Sequence, residues 1–470
     1  MTQDMTSLER AFKKACEDVG VKNENRLAIE MFLAPLRNKN AVTRTHYLHS
    51  LRVSLTARAI AKYTHHMDLS SVATRHPCGG VFFLRDIIRH MKIALTGSGS
   101  GGHFYPLIAV AEAVEDLAKE RALIEPELFY LGPDPFDKVA LLEHDIRHVS
   151  SPAGRMRRYT SVLNVLDYFK TFFGIIQSII QLFSLYPDVI FSTGGFGAFP
   201  TLYAARILSI PVVIYDADAT PGRVSLWASK FAKWIAVAHP DAAANFPEKT
   251  RSKIARVGHP IRSEIEMPAK EGGYEFLQLD PSVPTILIMG GSQGARAINE
   301  VVLDALPELV KKYNVIHQAG RDNLEDVAGI ASVVLKDSPY IERYRAFGLL
   351  NTIAQRMSAG LAAIIIARAG SGTIFEIAAW GIPSILVPIP LDISHDQTQN
   401  AFSYAREGAC VVIEQHNLKP HLLIAEIERL MSDPTKLEAM HTAAHTFARP
   451  NAAKKIAQIL LETAIEHEPV

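Results

Sequence analysis

From Met91 onward, short apolar runs alternate with longer segments whose apolar residues recur at helical spacing. The run Met91-Lys-Ile-Ala-Leu-Thr96 ends in glycines and reads as a buried strand leading into a tight turn. Further strands are expected at 128–131, 189–191, 212–215, 234–237, 285–289, 315–318, 363–366, 384–387 and 410–413, with amphipathic helices between them. This alternation predicts parallel sheets covered by helices, an α/β class. Residues 1–90 have a different texture. Helical stretches are plausible at 8–32 and 45–62, six of the 18 histidines fall there, and little strand pattern is visible.

One feature recurs. A strand, a glycine-rich turn and a helix occur at Met91…Gly97-Ser-Gly-Ser-Gly-Gly-His103 and again at Thr285…Gly290-Gly-Ser-Gln-Gly-Ala295. Two doubly wound, Rossmann-like domains facing a cleft follow from that repeat. The expected divisions are a helical appendage at 1–90, an N-terminal domain at 91–262, a C-terminal domain at 263–450 and a last helix at 451–470 that packs back on the N-terminal domain.

Composition narrows the function classes. With 48% hydrophobic and 21% charged residues the chain has the makings of real cores. Lys+Arg and Asp+Glu are both 49, which argues against a dedicated nucleic-acid binder. The balance is uneven, since residues 1–90 carry 14 basic against 8 acidic side chains. Three scattered cysteines fit neither a disulfide framework nor a metal site, and a reducing compartment is expected. No signal peptide is apparent. The stretch Thr171–Tyr186, interrupted by two glutamines, reads as too short to span a bilayer.

The chemistry concentrates in four places. The glycine loops bring backbone N–H groups and a helix N-terminus to one point, which suits a phosphate or pyrophosphate. Gly97-x-Gly99-x-x-Gly102 also matches the dinucleotide fingerprint, yet only Asp134 follows the next strand, and glycines serve a tight turn equally well. His103 begins the first helix, either as a packed or capping residue or as a proton acceptor at the cleft. Thr373 and Glu376 lie three apart in Gly370-Ser-Gly-Thr-Ile-Phe-Glu376, where a carboxylate can take both hydroxyls of a ribose; the same pair is also a capping box. Asp216-x-Asp218 is a carboxylate pair open to a divalent cation, although two carboxylates alone do not make a site. Basic residues Arg155, Arg157, Arg158 and Lys170 flank an apolar stretch with Leu163, Val165, Leu166, Phe169, Phe172, Phe173, Ile175, Ile176, Ile179 and Ile180. That pattern suits either a buried helix or one lying on an anionic membrane.

In order and spacing these motifs resemble the MurG family, from about Met91 to about Leu461. Ser98-Gly-Ser-Gly-Gly-His103-Phe-Tyr-Pro106, Thr193-Gly-Gly-Phe196, Pro221-Gly222, Val257-Gly-His-Pro-Ile-Arg262, Gly290–Arg296, Arg368–Glu376 and Gln397-Thr-Gln-Asn400-Ala carry the resemblance. It implies a GT-B fold and inverting transfer of GlcNAc from UDP-GlcNAc to the 4-hydroxyl of MurNAc on undecaprenyl-pyrophosphoryl-MurNAc-pentapeptide. No metal and no cofactor are implied. The alternatives are another GT-B glycolipid glycosyltransferase, a UDP-GlcNAc 2-epimerase, or a nucleotide-sugar-binding module without turnover.

The resemblance also implies roles. His103, Asp216 and Asp218 are the catalytic candidates. Donor contacts fall on Ser100, Gly101, Gly102, Asp218, Arg262, Ser292, the backbone near Phe347, Gly372, Thr373, Glu376, Asp396 and Gln397. Gly99, Gly101, Gly102, Gly194 and Gly195 would cradle the acceptor pyrophosphate. Peripheral contact with the cytoplasmic face of an anionic membrane is implied, and so are partners among cell-wall synthesis proteins. Two positions depart from the pattern. The family has His-Glu-x-Asn where this chain has Tyr215-Asp-Ala-Asp218, and paired glutamines where it has Asp396-Gln397. Residues 1–90 have no counterpart, and Met91 stands where such proteins begin.

Overall fold

Parallel strands and covering helices build both halves of the chain between Met91 and His467. The computed structural model describes residues 91–467 apart from 99, 122, 155–161, 292–293 and 391–396. The expected appendage at 1–90 lies outside the described residues, as do Gly99, Ser292, Asp396, Arg155, Arg157 and Arg158.

The first half runs β1 (Lys92–Thr96), α1 (Gly101–Glu120), β2 (Glu127–Gly132), α2 (Lys138–Glu143), β3 (Arg147–Ser150), α3 (Val162–Leu185), β4 (Val189–Ser192), α4 (Phe199–Ile207), β5 (Val212–Asp216), α5 (Arg223–Ala228), β6 (Trp234–Val237) and β7 (Ile254–Arg256). A junction with α6 (Ser263–Glu266) and α7 (Gly273–Leu277) follows. The second half holds β8 (Thr285–Met289), α8 (Arg296–Lys312), β9 (Asn314–Gln318), α9 (Leu324–Val334), β10 (Tyr344–Phe347), α10 (Thr352–Leu361), β11 (Ala362–Ala367), α11 (Ser371–Trp380), β12 (Ser384–Leu386), α12 (Gln397–Arg406) and β13 (Cys410–Val412). Three helices end it: α13 (Pro420–Met431), α14 (Pro434–Phe447) and α15 (Ala452–His467).

The strand orders are β3-β2-β1-β4-β5-β6-β7 and β10-β9-β8-β11-β12-β13. Every pairing between described strands is parallel. Each sheet therefore reverses its winding once, between β1 and β4 and between β8 and β11. A crevice opens at such a point beyond the carboxyl ends of the strands, because the flanking connections leave in opposite directions. The loops at those two points are 97–100 with 193–195, and 290–295 with 368–370.

Both faces of each sheet are buried, as apolar strands of parallel sheets require. In β1, Ile93 and Leu95 join one cluster while Ala94 joins another. The cluster holding Ile93 and Leu95 runs on through Phe375, Phe447, Ile456 and Leu460 to Leu287 and Ile365 of the second sheet. The two halves thus share one apolar seam. The last helix, α15, packs on α1, β1 and β4 of the first half. Trp380 Nε1 donates to the carbonyl of Ile265 across the junction, at 2.8 Å.

Helix α3 departs from expectation in length. It starts well before Thr171, and its segment Asp167–Leu185 is long and apolar enough to cross a membrane by length and composition. It does not stand clear of the domain, however. Gly174, Ser178 and Leu182 form a buried stripe at four-residue spacing. Ser178 Oγ meets Ser151 Oγ at 2.7 Å, and the Gln177 and Gln181 amides each donate to the Ser150 carbonyl at 2.9 Å. The opposite side is bare: Phe173 is 63%, Ile180 64% and Phe183 73% exposed.

Candidate active site

The first switch point joins the two glycine loops of the N-terminal half. Ser100 stands at the N-cap of α1, and its carbonyl accepts from the N–H groups of His103 and Phe104, both at 3.0 Å. Gly101 and Gly102 open the helix, with Gly102 exposed. Gly194 and Gly195 follow β4 with φ of 75° and 77°, a region costly for residues with a Cβ. A Cβ on Gly195 would also stand 2.6 Å from Ser98 Cβ. The loops lie this close because only glycine fits between them.

His103 is clamped there. Its Nδ1 lies 2.8 Å from the Thr193 carbonyl, and Thr193 Oγ1 donates back to the His103 carbonyl at 2.8 Å. A carbonyl can only accept, so Nδ1 carries the proton and the lone pair resides on Nε2. Nε2 is turned toward Gly195, 3.4 Å from where a Cβ would stand.

Asp216 at the end of β5 and Asp218 just beyond it do two different jobs. Asp216 faces inward. It accepts from the N–H groups of Gly222 at 3.1 Å and Asp218 at 3.3 Å, which holds the Pro221-Gly222 turn. Burial, then the Asp218 charge, pushes its pKa up to about 7. Asp218 points the other way, across the cleft. Its Oδ1 accepts from Ser371 Oγ at 2.7 Å and from Asn400 Nδ2 at 2.9 Å, and Asn400 Oδ1 takes the Ala219 N–H at 2.7 Å. The Arg406–Asp241 pair and the contact of His239 Nε2 with Ser371 Oγ, at 3.1 Å, reinforce this bridge. Among the described residues no cluster of three or more His, Cys, Asp or Glu is arranged for a metal ion.

Behind the bridge lie two buried imidazoles. His259 Nδ1 shares a 2.6 Å hydrogen bond with the Tyr215 hydroxyl, and its ring stacks on Phe375. Burial lowers the pKa of His239 to about 4 and that of His259 to about 3, so both are neutral at pH 7. Tyr215 thus packs the junction, at the position where the sequence departs from the resembled pattern.

The second switch point holds the remaining candidates. Gly372 and Thr373 lie in the first turn of α11, half-buried. One turn on, Glu376 accepts from Gln355 Nε2 at 3.2 Å; burial raises its pKa to about 7, against the pull of Arg262 and of that hydrogen bond. Gln397 Oε1 accepts from the Ile389 N–H at 3.2 Å, and its amide nitrogen borders Gly370. Phe347 ends β10. Its carbonyl accepts from the Ala319 N–H at 2.8 Å, and Gln318 Oε1 ties down the loop behind it through the Leu350 N–H at 3.2 Å.

Arg262 sits at the junction between the halves, its guanidinium carbon 4.3 Å from the ring centre of Tyr105. Five residues that sequence reasoning did not single out thus complete the cleft: Tyr105, Gln318, Gln355, Ser371 and Asn400. Tyr105, Ser371 and Asn400 fall inside motifs that carry the resemblance, while Gln318 and Gln355 carry no local signal.

Comparison with known proteins gives a consistent picture. Residues 93–237 match the model of the glycosyltransferase family 28 N-terminal domain, and residues 285–456 that of the glycosyltransferase family 28 C-terminal domain. The chain is 32% identical over 389 residues to the UDP-N-acetylglucosamine–N-acetylmuramyl-(pentapeptide) pyrophosphoryl-undecaprenol N-acetylglucosamine transferase of Treponema denticola, covering 78% of this chain and 96% of that protein. It is also 32% identical to the Bacillus thuringiensis enzyme of that name numbered 3, covering 78% and 97%. Among solved structures, MurG of Acinetobacter baumannii superposes with a TM-score of 0.61 at 26% identity, covering 79% of this chain and 99% of that one. A Listeria monocytogenes protein described as a UDP-N-acetylglucosamine 2-epimerase shares the fold, with a TM-score of 0.59 at 14% identity.

Proposed function

Because the chain belongs to the MurG family of GT-B glycosyltransferases, which move GlcNAc from UDP-GlcNAc to lipid I and so form lipid II, we propose how its own residues divide that work. The reading rests on one observation above all. The glycine loops and α11 stand at the two points where the sheets reverse their winding, and Asp218 joins them across the cleft.

UDP-GlcNAc occupies the second switch point. The Glu376 carboxylate takes the ribose hydroxyls, and the backbone near Phe347 meets the uracil. Gly372, Thr373, Ser292 and Arg262 receive the diphosphate, while Asp396 and Gln397 read the sugar hydroxyls. Lipid I lies at the first switch point, its pyrophosphate against Gly99, Gly101, Gly102, Gly194 and Gly195, with Ser100 toward the donor. The MurNAc 4-hydroxyl attacks the anomeric carbon from the face opposite UDP, so an α-linked donor yields a β product. As the new C–O bond forms, the bond to the β-phosphate oxygen breaks. His103 Nε2 takes the hydroxyl proton. The helix N-terminus of α11 and the Arg262 guanidinium stabilise the departing diphosphate. Asp216 keeps the Pro221-Gly222 turn in place, and Asp218 holds the halves in register.

Glu376 offers a test of the donor assignment through pH. Ribose hydroxyls donate to the ionised carboxylate, so a proton bound there competes with the donor. With the pKa near 7, the affinity for UDP-GlcNAc is expected to rise about tenfold from pH 6 to pH 8. Glu376→Gln should bind more weakly and lose that slope. Titration of donor binding by calorimetry decides it; an unchanged slope in the variant removes Glu376 from the ribose site.

We further propose that α3 seats the protein on the membrane that carries its acceptor, at the cytoplasmic face. Phe169, Phe172, Phe173, Ile176, Ile180 and Phe183 are exposed on one side of a helix otherwise tied to the domain. Replacing Phe173 and Ile180 together by serine is expected to weaken binding to anionic vesicles at least tenfold, at ~1.5–3 kcal/mol for each large apolar side chain withdrawn from water. Transfer to a water-soluble acceptor should be unaffected. Vesicle co-sedimentation reads the first outcome and an acceptor assay the second.

A further inference from the structure

The Arg262 guanidinium is half-buried and makes no hydrogen bond to any described residue. Its face is covered by the Tyr105 ring at 4.3 Å, a separation at which a desolvated cation over an aromatic face is well held. Tyr105 is itself fixed. Its ring meets Phe136 edge-on at 5.7 Å and Phe104 at 5.9 Å, and its hydroxyl lies in the field of the carboxylate of Asp137, the residue that caps α2. A Cβ placed on Gly101 would lie 3.5 Å from the ring, so Tyr105 also borders the first glycine loop.

From this arrangement we infer that Tyr105 is the positioning residue for Arg262: it holds the guanidinium by its face and leaves the N–H edge open to the donor diphosphate. The inference rests on the reading of Arg262 as the diphosphate-binding arginine. It also links the two substrates, because the first turns of α1 carry His103 toward one glycine loop and Tyr105 toward the junction arginine. A stacked guanidinium keeps all five N–H donors available, whereas one held by a carboxylate would spend two of them. Stacking also spares the guanidinium a direct carboxylate partner, although the Glu376 charge lies within its electrostatic reach.

The test is calorimetric binding of UDP and of uridine to the full chain carrying Tyr105→Leu, Tyr105→Phe, Arg262→Gln, or Tyr105→Leu with Arg262→Gln. Tyr105→Leu is expected to weaken UDP about fivefold and leave uridine unchanged, since only the diphosphate meets Arg262. Tyr105→Phe keeps the ring and should hold UDP within about twofold of the parent. The double variant should bind UDP no more weakly than Arg262→Gln alone. Equal losses for uridine and UDP in Tyr105→Leu would mean a merely structural role and overturn the inference, as would additive losses in the double variant. If Arg262→Gln weakens UDP and Tyr105→Leu does not, the positioning role falls and the donor site stands. If Arg262→Gln itself leaves UDP unchanged, both fall.

Discussion

Replacing His103 by alanine is expected to lower kcat by about 10²–10⁴-fold, the range for removal of a positioned general base, while leaving the affinity for UDP-GlcNAc unchanged. The reason lies in the clamp. The Thr193 carbonyl accepts the Nδ1 proton at 2.8 Å, and the Thr193 hydroxyl returns a bond to the His103 backbone. The imidazole is held in one tautomer with its basic nitrogen toward the glycine loops, the site proposed for the acceptor pyrophosphate. His103→Gln is expected to be as slow as the alanine variant, because an amide can orient the acceptor but cannot take a proton at neutral pH. Steady-state kinetics with donor and acceptor varied separately decide the matter. A rise in KM for the acceptor alone, with kcat retained, would make His103 a binding residue.

The second large effect is expected at Asp218. Alanine there removes the acceptor of two hydrogen bonds that cross the cleft, leaving the Ser371 hydroxyl with His239 alone and the Asn400 amide with only the long contact to the Ala369 carbonyl. A hydrogen bond to a charged group contributes ~1.5–3 kcal/mol, so kcat/KM is expected to fall about 10- to 100-fold, with a lower melting temperature. Asp218→Asn keeps an oxygen for both donors and restores the residue of the resembled pattern. It should stay within about threefold of the parent. Equal losses in the two variants would show that the charge matters rather than the bridge.

The legibility of the chain follows from where information about a residue resides. Strands β1, β8 and β11 are buried on both faces, so their apolar runs mark them without help from the rest of the fold. The glycine loops are equally plain, since close approach leaves glycine as the residue that fits. Edge strands β3 (Arg147-His-Val-Ser150), β7 and β10 carry polar and half-exposed residues and show no such run. The partners within the site were the least visible. Asp218 and Asn400 are 182 residues apart, and nothing in either motif says that one accepts from the other. Tyr105 reads as one more aromatic on an amphipathic helix until the junction brings Arg262 to its face. The apolar run from Thr171 understates α3, because the helix continues N-terminally through the charged residues Lys170 and Asp167.

The most direct test of the whole account is transfer of labelled GlcNAc from UDP-GlcNAc to a short-chain lipid I analogue by the full chain, with EDTA present. In the proposed arrangement Arg262 and a helix N-terminus face the leaving diphosphate, and Asp216 is spent on a turn. Turnover is therefore expected without added metal, to a β-linked disaccharide product. Firm binding of UDP-GlcNAc with no transfer to that acceptor, with or without metal, would contradict it.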